Sequence, residues 1–228
     1  MITLLGVGHV FDIGRAIRAE ILARRPRVVA LELDRVRFQV LMSRGPRTPP
    51  PSLLGLLARF QTRIARTYGV QVGDEMLAAA RTAQELGSEL ALIDEASRDV
   101  IVRAWQAMPL RERVRFGLSI VSSAFVRRKR VEAELRRYQE DERAVIAEFA
   151  AHLPTVKRIL IDERDDRMAV ALRELHDSKG DVVAVVGDGH IDGLSQRLAG
   201  EAVDVVRLKD LQFPLDPSGA STTVSYRL

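Results

Sequence analysis

Short apolar runs alternate along the chain with longer stretches in which apolar residues recur every three or four positions. The first run, MITLLGVGH, is rich in Ile, Leu and Val and breaks at Gly6, which is typical of a buried strand. In the next stretch Ile13, Ile17 and Ile21 share one helical face, and Pro26 ends the helix. A second strand is predicted in RVVALELD. The order strand, helix, strand predicts a right-handed crossover and a parallel pair.

The later stretches continue this alternation. A helix is predicted in GDEMLAAARTAQELG and a strand in SELALIDEA, and a second strand–helix–strand run follows in DVVAVVGDGH, IDGLSQRLAG and AVDVVRLKDL. Residues 98–157 have a helical pattern that breaks at Pro109, and residues 44–52 form a proline-rich loop. We therefore predict a single α/β domain over residues 1–228. It has a mainly parallel central sheet flanked by helices, two pseudo-repeated βαβ units, and a helical insertion that forms an arm at about residues 98–157.

The two βαβ units carry a similar motif at the end of their first strand. GVGH occupies positions 6–9 and GDGH occupies positions 187–190, and an aspartate and a glycine follow each motif. Two units that share a histidine-bearing turn indicate an internal repeat. Ligands bind at the carboxyl edge of open α/β sheets, and Glu32 and Asp94 also fall at predicted strand ends. We therefore expect two histidines and two carboxylates to converge at that edge.

This set of side chains suits a divalent ion such as Zn, Mn or Co, because neutral imidazoles and carboxylates are good ligands for these metals. A metal bound by His9 and His190 could acidify water, Glu163 could accept the proton of that water, and Arg164 could stabilise the oxyanion, provided that the segment DERDDRM faces the same edge. The residues are therefore compatible with a metal-dependent hydrolase.

Three alternatives stay open on the residues alone. DERDDRM also fits an ordinary helix start, where the helix dipole favours acids. A histidine steered by Glu32 could act without a metal as the base of an esterase. The same pocket could also bind a peptide or a cofactor without cleaving it. Zincins, α/β-hydrolases and dinucleotide-binding proteins are not supported, since the chain has no HExxH, no GxSxG and no full GxGxxG fingerprint.

Composition narrows the classes of function further. The chain has no cysteine, which excludes disulfides, thiolate metal sites and cysteine nucleophiles. The net charge is +4, and only four of the 35 basic residues are lysines. This balance permits anionic partners, but no aromatic–basic module is present, so we expect no nucleic-acid partner. No signal peptide and no apolar run of about 20 residues is found, so we expect a cytoplasmic protein without a membrane partner. The charged helical arm predicts a homodimer.

Six segments, in order along residues 1–210, resemble the TraB/PrgY family in its archaeal form. They are GVGHV, ALELDRVRFQVL, GDEMLAA, LIDEASRDVIVRAW, DERDDRMA and VVGDGH, and the paired GxxH motifs are the most specific of them. The resemblance implies a wider group with the TIKI proteases, which cleave Wnt proteins with a divalent metal, and more distantly with erythromycin esterase and ChaN-like proteins. TraB/PrgY proteins are linked to the shutdown of peptide pheromone signals. The resemblance therefore implies a peptide or protein substrate.

The family pattern also implies particular site residues. Carried onto this chain, it gives His9, Glu32, Glu163 and His190, with Arg164 beside them. The resulting hypothesis is a metal-dependent hydrolase in which His9 and His190 bind the metal and Glu32 or Glu163 is the carboxylate ligand. The remaining glutamate then activates water, and Arg164 stabilises the oxyanion. Archaeal relatives often carry a hydrophobic, membrane-spanning C-terminal region, which this sequence lacks. A soluble form and a longer parent protein with that region are both compatible with the resemblance.

Overall fold

The computed structural model describes residues 1–8, 13–43, 73–116 and 151–212. In its first half the elements are β1 (Ile2–Val7), α1 (Gly14–Arg24), β2 (Val28–Leu31), α2 (Arg35–Ser43), α3 (Asp74–Leu86), β3 (Glu89–Leu92) and α4 (Ser97–Ala107). The second half contains α5 (Pro154–Lys157), a π-helical turn (Arg158–Asp162), α6 (Glu163–Lys179), β4 (Val182–Gly187), a 3-10 turn (Asp188–His190), α7 (Ile191–Arg197), β5 (Val203–Val206) and α8 (Leu208–Gln212). The five predicted strands are all present, whereas α2 has no counterpart among the predicted elements.

The five described strands form one parallel sheet in the order β3-β2-β4-β1-β5. This confirms the predicted α/β class. The two βαβ units interleave, since β4 lies between β1 and β2, and β1 lies between β4 and β5. The strands of each unit are therefore parallel but do not pair with each other, because each crossover passes over one strand of the other unit.

The three central strands start in register, which brings their carboxyl ends to one edge of the sheet. Val182 of β4 pairs with both Ile2 of β1 and Val28 of β2. Beyond the end of β2, Glu32 continues the ladder by donating its backbone N–H to the carbonyl of Val185 at 3.1 Å. Side chains that follow β2, β3 and β4 consequently meet at the same edge.

A hydrophobic core lies on each face of the sheet, because successive residues of a strand point to opposite sides. One core joins Leu5, Val29 and Val183 to apolar residues of α1, α3 and α8, and it includes the predicted helical face of α1. The other core joins Leu4 and Ala184 to apolar residues of α6 and α7. The sheet is thus covered by helices on both faces, as a parallel sheet requires.

The described ends of the predicted helical arm pack against each other. The pattern breaks at Pro109 as predicted, and residues 110–116 are helical again. Two small apolar clusters join α4 and residues 108–116 to α5 and the π-helical turn. Glu112 links the two ends further, since its carboxylate accepts hydrogen bonds from the backbone N–H of Thr155 at 3.1 Å and from the Thr155 hydroxyl at 2.8 Å.

Several predictions concern residues outside the described ranges. These are the proline-rich loop at 44–52, the middle of the arm at 117–150, and the histidine and aspartate at positions 9 and 12. The single-domain boundary and the dimer stay predictions as well. Within the described ranges, the helices are too short or too polar to cross a bilayer.

Candidate functional site

A cluster of buried charged side chains lies at the carboxyl edge of the sheet. Glu32 directly follows β2, Asp94 follows β3, and His190 ends the turn after β4. Arg164 and Asp165 reach the same place from the first turn of α6. The side chains of these residues are between 1% and 14% exposed. Charges buried to this degree are costly unless they are paired, so their partners define the site.

Arg164 lies at the centre of this cluster. Its Nε donates to Asp94 Oδ1 at 2.9 Å, and its Nη2 donates to Asp94 Oδ2 at 2.6 Å and to Glu32 Oε1. One N–H of Nη1 donates to the carbonyl of Leu160 at 3.0 Å. Four of its five N–H groups thus have oxygen acceptors. The fifth faces Nε2 of His190 across 3.2 Å. The planar guanidinium fixes two carboxylates and leaves one donor directed at the histidine.

The π-helical turn helps to place Arg164. In a π-helix hydrogen bonds join residues five apart, and here the N–H of Glu163 bonds to the carbonyl of Arg158. Two side-chain ion pairs have the same five-residue spacing, namely Lys157 with Asp162 and Arg158 with Glu163. A single π-helical turn shifts the phase of the helix that follows and is frequent at functional sites.

His190 is held in a fixed orientation by Asp165. The Nδ1 of the imidazole lies 2.6 Å from Asp165 Oδ1, and both side chains are buried. The other ring nitrogen, Nε2, lies 3.4 Å from Glu32 Oε1. The second oxygen of Glu32 accepts the backbone N–H of Gly187 at 2.6 Å. His190 therefore lies between two carboxylates, and the N–H of Gly187 anchors the one of Glu32.

The charges of the cluster shift the proton affinities of its members. Burial opposes protonation of His190, but the charge of Glu32 and the hydrogen bonds to Asp165 and Glu32 outweigh it and raise the pKa of His190 to about 9. Burial alone would raise the pKa of Glu32, yet His190, Arg164 and the N–H of Gly187 bring that pKa well below its usual range. Burial raises the pKa of Asp165, and the bond from His190 offsets part of the rise. The raised pKa favours the imidazolium form of His190 at neutral pH.

Three glycines make room for the carboxylates of this edge. A Cβ at Gly193 would lie 1.9 Å from Asp165 Oδ2, and one at Gly6 would lie 2.0 Å from Asp188 Oδ1. A Cβ at Gly187 would be 3.3 Å from Glu32 Oε2. The first glycine of each GxxH motif thus lies against a carboxylate from the other half of the chain. Gly6 and Gly187 are therefore required by close packing against a carboxylate and not by a backbone conformation that only glycine adopts.

Asp94 connects the cluster to the surface. Its buried carboxylate accepts from Arg164 and also from Nη2 of Arg37, whose side chain is 34% exposed. The Nε of Arg37 donates to Asp34 Oδ2 at 2.6 Å, and its backbone N–H donates to Asp34 Oδ1 at 2.9 Å. The N-terminus of α2 is therefore tied to the same edge.

The structure brings together some of the residues that the sequence singles out. Glu32, Asp94, Arg164 and His190 meet at the edge, whereas His9 lies outside the described ranges. Glu163 does not join them, because its carboxylate pairs with Arg158 and lies 3.6 Å from Arg103.

Two residues that the sequence prediction did not select also contribute here, namely Asp165 in the cluster and Arg37, which binds Asp94. Asp165 lies within DERDDRM, where the prediction selected its neighbours Glu163 and Arg164. Arg37 lies three residues after Asp34, and at this spacing an acid at the start of a helix and a basic residue on its first turn are neighbours.

Within the described ranges, no three His, Asp or Glu side chains are grouped in a way that would hold a metal ion.

The chain matches a family model and a curated protein. The model of the TraB/PrgY/gumN family matches residues 1–199, a range that contains every member of the cluster. An uncharacterized protein of Methanocaldococcus jannaschii is 27% identical over 224 residues, which cover 91% of this chain. The match covers 56% of that protein, so the chain spans about half the length of this curated relative.

Proposed function

This chain belongs to the TraB/PrgY/gumN family, and we propose that its sheet-edge cluster is the active site of a divalent-metal-dependent hydrolase that acts on peptides. The observation that carries the proposal is the arrangement of Asp165, His190 and Glu32. Asp165 holds Nδ1 of the imidazole, and Nε2 faces a carboxylate oxygen. A histidine that binds a metal usually donates its second ring N–H to a carboxylate, a backbone carbonyl or a water, and Asp165 is such a carboxylate.

The distances fit two ligands of one ion. Nε2 of His190 and Oε1 of Glu32 are 3.4 Å apart. Two ligand atoms about 2.1 Å from the same ion, at a near-tetrahedral angle, are separated by about 3.4 Å. His9 is proposed as a further ligand, since it occupies the equivalent position in the repeated motif. Nε2 of His190 would have to be unprotonated to bind an ion, and a bound ion would supply an acidified water and a polarised carbonyl group.

Arg164 has two roles in this proposal. Three of its N–H groups hold the carboxylates of Glu32 and Asp94 in place. Its fifth N–H, which points towards Nε2 of His190, is the donor available to a substrate oxygen that gains negative charge during hydrolysis. Glu32 is assigned as the carboxylate ligand. The structure gives no support for Glu163 as ligand or base, because its carboxylate is paired with Arg158 outside the cluster.

The first experiment measures metal binding. Mn²⁺, Co²⁺ and Zn²⁺ are titrated calorimetrically into chelator-stripped wild type and into His9→Ala, His190→Ala and Glu32→Gln. We expect each substitution to weaken binding at least about 10-fold, because each removes a ligand atom. His152→Ala is the matched control, since His152 is exposed and lies outside the cluster.

The second experiment measures turnover. A random peptide library is incubated with metal-loaded and chelator-treated protein, and cleavage products are identified by mass spectrometry. We expect cleavage that requires metal, His9 and His190. Unchanged metal content and unchanged peptidase activity in both histidine variants would falsify the proposal.

A metal-free esterase is the second candidate, and the Asp165–His190 pair favours it. A carboxylate that orients an imidazole is also the arrangement of a histidine that transfers protons. Ester hydrolysis that survives chelator and is lost in His190→Ala would indicate this function. Peptide binding without any turnover would indicate a non-catalytic binding module instead.

A further inference from the structure

A groove that the proposed mechanism does not use lies between α4 and the π-helical turn. Its volume is about 420 Å³, within the range of small-ligand sites, and its lining residues are Arg103, Gln106, Ala107, Arg158, Ile159 and Glu163. The groove adjoins the sheet-edge cluster along the chain at two points. Glu163 directly precedes Arg164, and Glu95, which binds Arg103, directly follows Asp94. The groove and the cluster therefore share two short segments of the chain, residues 94–95 and 163–164.

Arginines outnumber acids in and around this groove. Glu163 pairs with Arg158 and lies 3.6 Å from Arg103. Glu95 accepts two hydrogen bonds from Arg103, at 2.7 and 2.8 Å, and also pairs with Arg167. Three guanidinium groups thus share two carboxylates, and one positive charge is left over. This balance favours an anionic ligand.

Arg158 is the arginine best placed to meet that ligand. Its side chain is 55% exposed. Among the described residues its guanidinium bonds only to Glu163, through Nη1, which leaves the N–H groups of Nε and Nη2 to a ligand. Ile159, only 3% exposed, gives the groove an apolar base. A planar guanidinium beside an apolar surface suits a carboxylate, which it binds through two parallel hydrogen bonds.

We propose that this groove binds a carboxylate of the substrate, with Arg158 as the main contact. The inference rests on the proposed function in one respect, namely that the substrate is a peptide. The carboxylate then belongs either to an acidic side chain or to the peptide C-terminus. These two sources present the same chemical group, and the experiment below separates them.

The experiment measures peptide binding by fluorescence anisotropy, in chelator so that metal-dependent cleavage does not occur. Three fluorescein-labelled octapeptide pools of uncharged residues are compared. One has a C-terminal amide, one has a free C-terminal carboxylate, and one has the amide and a single internal glutamate. We expect wild type to bind at least one carboxylate pool about three-fold or more tightly than the amide pool, as partly exposed ion pairs allow. The pool that shows the preference identifies the source of the carboxylate.

Two substitutions in the groove are expected to act in opposite directions. Arg158→Gln removes the main contact and should abolish the preference. Glu163→Gln removes the acid that competes for the arginines and should increase the preference. A general loss of folding cannot produce opposite changes. Arg81→Gln is the matched control, because Arg81 is exposed on α3, which covers the other face of the sheet.

Equal binding of all three pools by wild type would overturn the proposal, and so would equal effects of Arg158→Gln and Arg81→Gln. These outcomes are distinct from failure of the proposed hydrolase. The binding assay needs neither metal nor turnover, so an inactive protein that still prefers carboxylates supports the groove and contradicts only the proposed catalysis.

Discussion

Replacing Gly193 with alanine tests whether Asp165 is held against His190 as the structure shows. Gly193 lies inside α7 and does not have a positive φ. Helix propensity alone therefore predicts that alanine stabilises the protein by about 1 kcal/mol. The structure predicts the opposite, because the new Cβ would lie 1.9 Å from Oδ2 and 2.8 Å from Cγ of the buried Asp165 carboxylate.

The size of the effect follows from what Asp165 must give up. To reach ordinary contact distance the carboxylate has to move by more than about 1 Å, and its 2.6 Å bond to His190 is lost. Loss of a hydrogen bond to a charged group costs about 1.5–3 kcal/mol, and overpacking costs about 1–3 kcal/mol. After the gain in helix propensity, we expect Gly193→Ala to lower the free energy of unfolding by about 2–5 kcal/mol.

Urea denaturation followed by circular dichroism measures this change, with Asp165→Ala and the double variant completing a thermodynamic cycle. In the Asp165→Ala background the clash is absent, so Gly193→Ala should be neutral or stabilising. Gly14→Ala is the control, since a Cβ at Gly14 meets Ala78 Cβ at 3.4 Å, an ordinary contact. A Gly193→Ala variant as stable as wild type, or equal effects in both backgrounds, would refute the reasoning.

Three further predictions concern the cluster and the helical segment beside it. Arg164→Lys should lower the free energy of unfolding by about 2–4 kcal/mol, because an ammonium cannot hold both buried carboxylates. In the same urea titration, the control Arg81→Lys should leave the free energy of unfolding unchanged within about 0.5 kcal/mol. In chelator, folding raises the pKa of His190, so its charge should stabilise the fold fully below pH 6.5. This stabilisation should be lost as the pH rises through about 9. The urea midpoints of wild type and His190→Gln should therefore converge above pH 9. Glu112→Ala should cost about 1–2 kcal/mol, because it removes both acceptors of Thr155, whereas an unchanged thermal midpoint would contradict that role.

The elements of the fold could be predicted because local periodicity determines them. Short apolar runs and helices with a 3.6-residue period identify the α/β class without any long-range information. The strand order could not be predicted in the same way. Nothing in the pattern of β1 shows that β4 rather than β2 lies beside it, since buried parallel strands are all apolar and differ little from one another.

The candidate site was predictable to the extent that strand ends determine it. Glu32, Asp94 and His190 each follow a parallel strand, so the carboxyl-edge rule brings them together. At the start of α6 the sequence prediction selected Glu163, whereas the acid that lies in the cluster is Asp165. Which of Glu163 and Asp165 faces the edge depends on the phase of the helix, and the π-helical turn sets that phase.

The interleaving of the two βαβ units has a consequence for how the protein is made. Both described neighbours of β1 come from the last quarter of the chain, and Ile2 pairs with Val182 across about 180 residues. During synthesis β1 therefore leaves the ribosome long before either pairing strand exists, whereas β2 and β3 can already pair. The sheet closes only when β4 enters between β1 and β2, a late and non-local event that makes folding slow for a chain of this size.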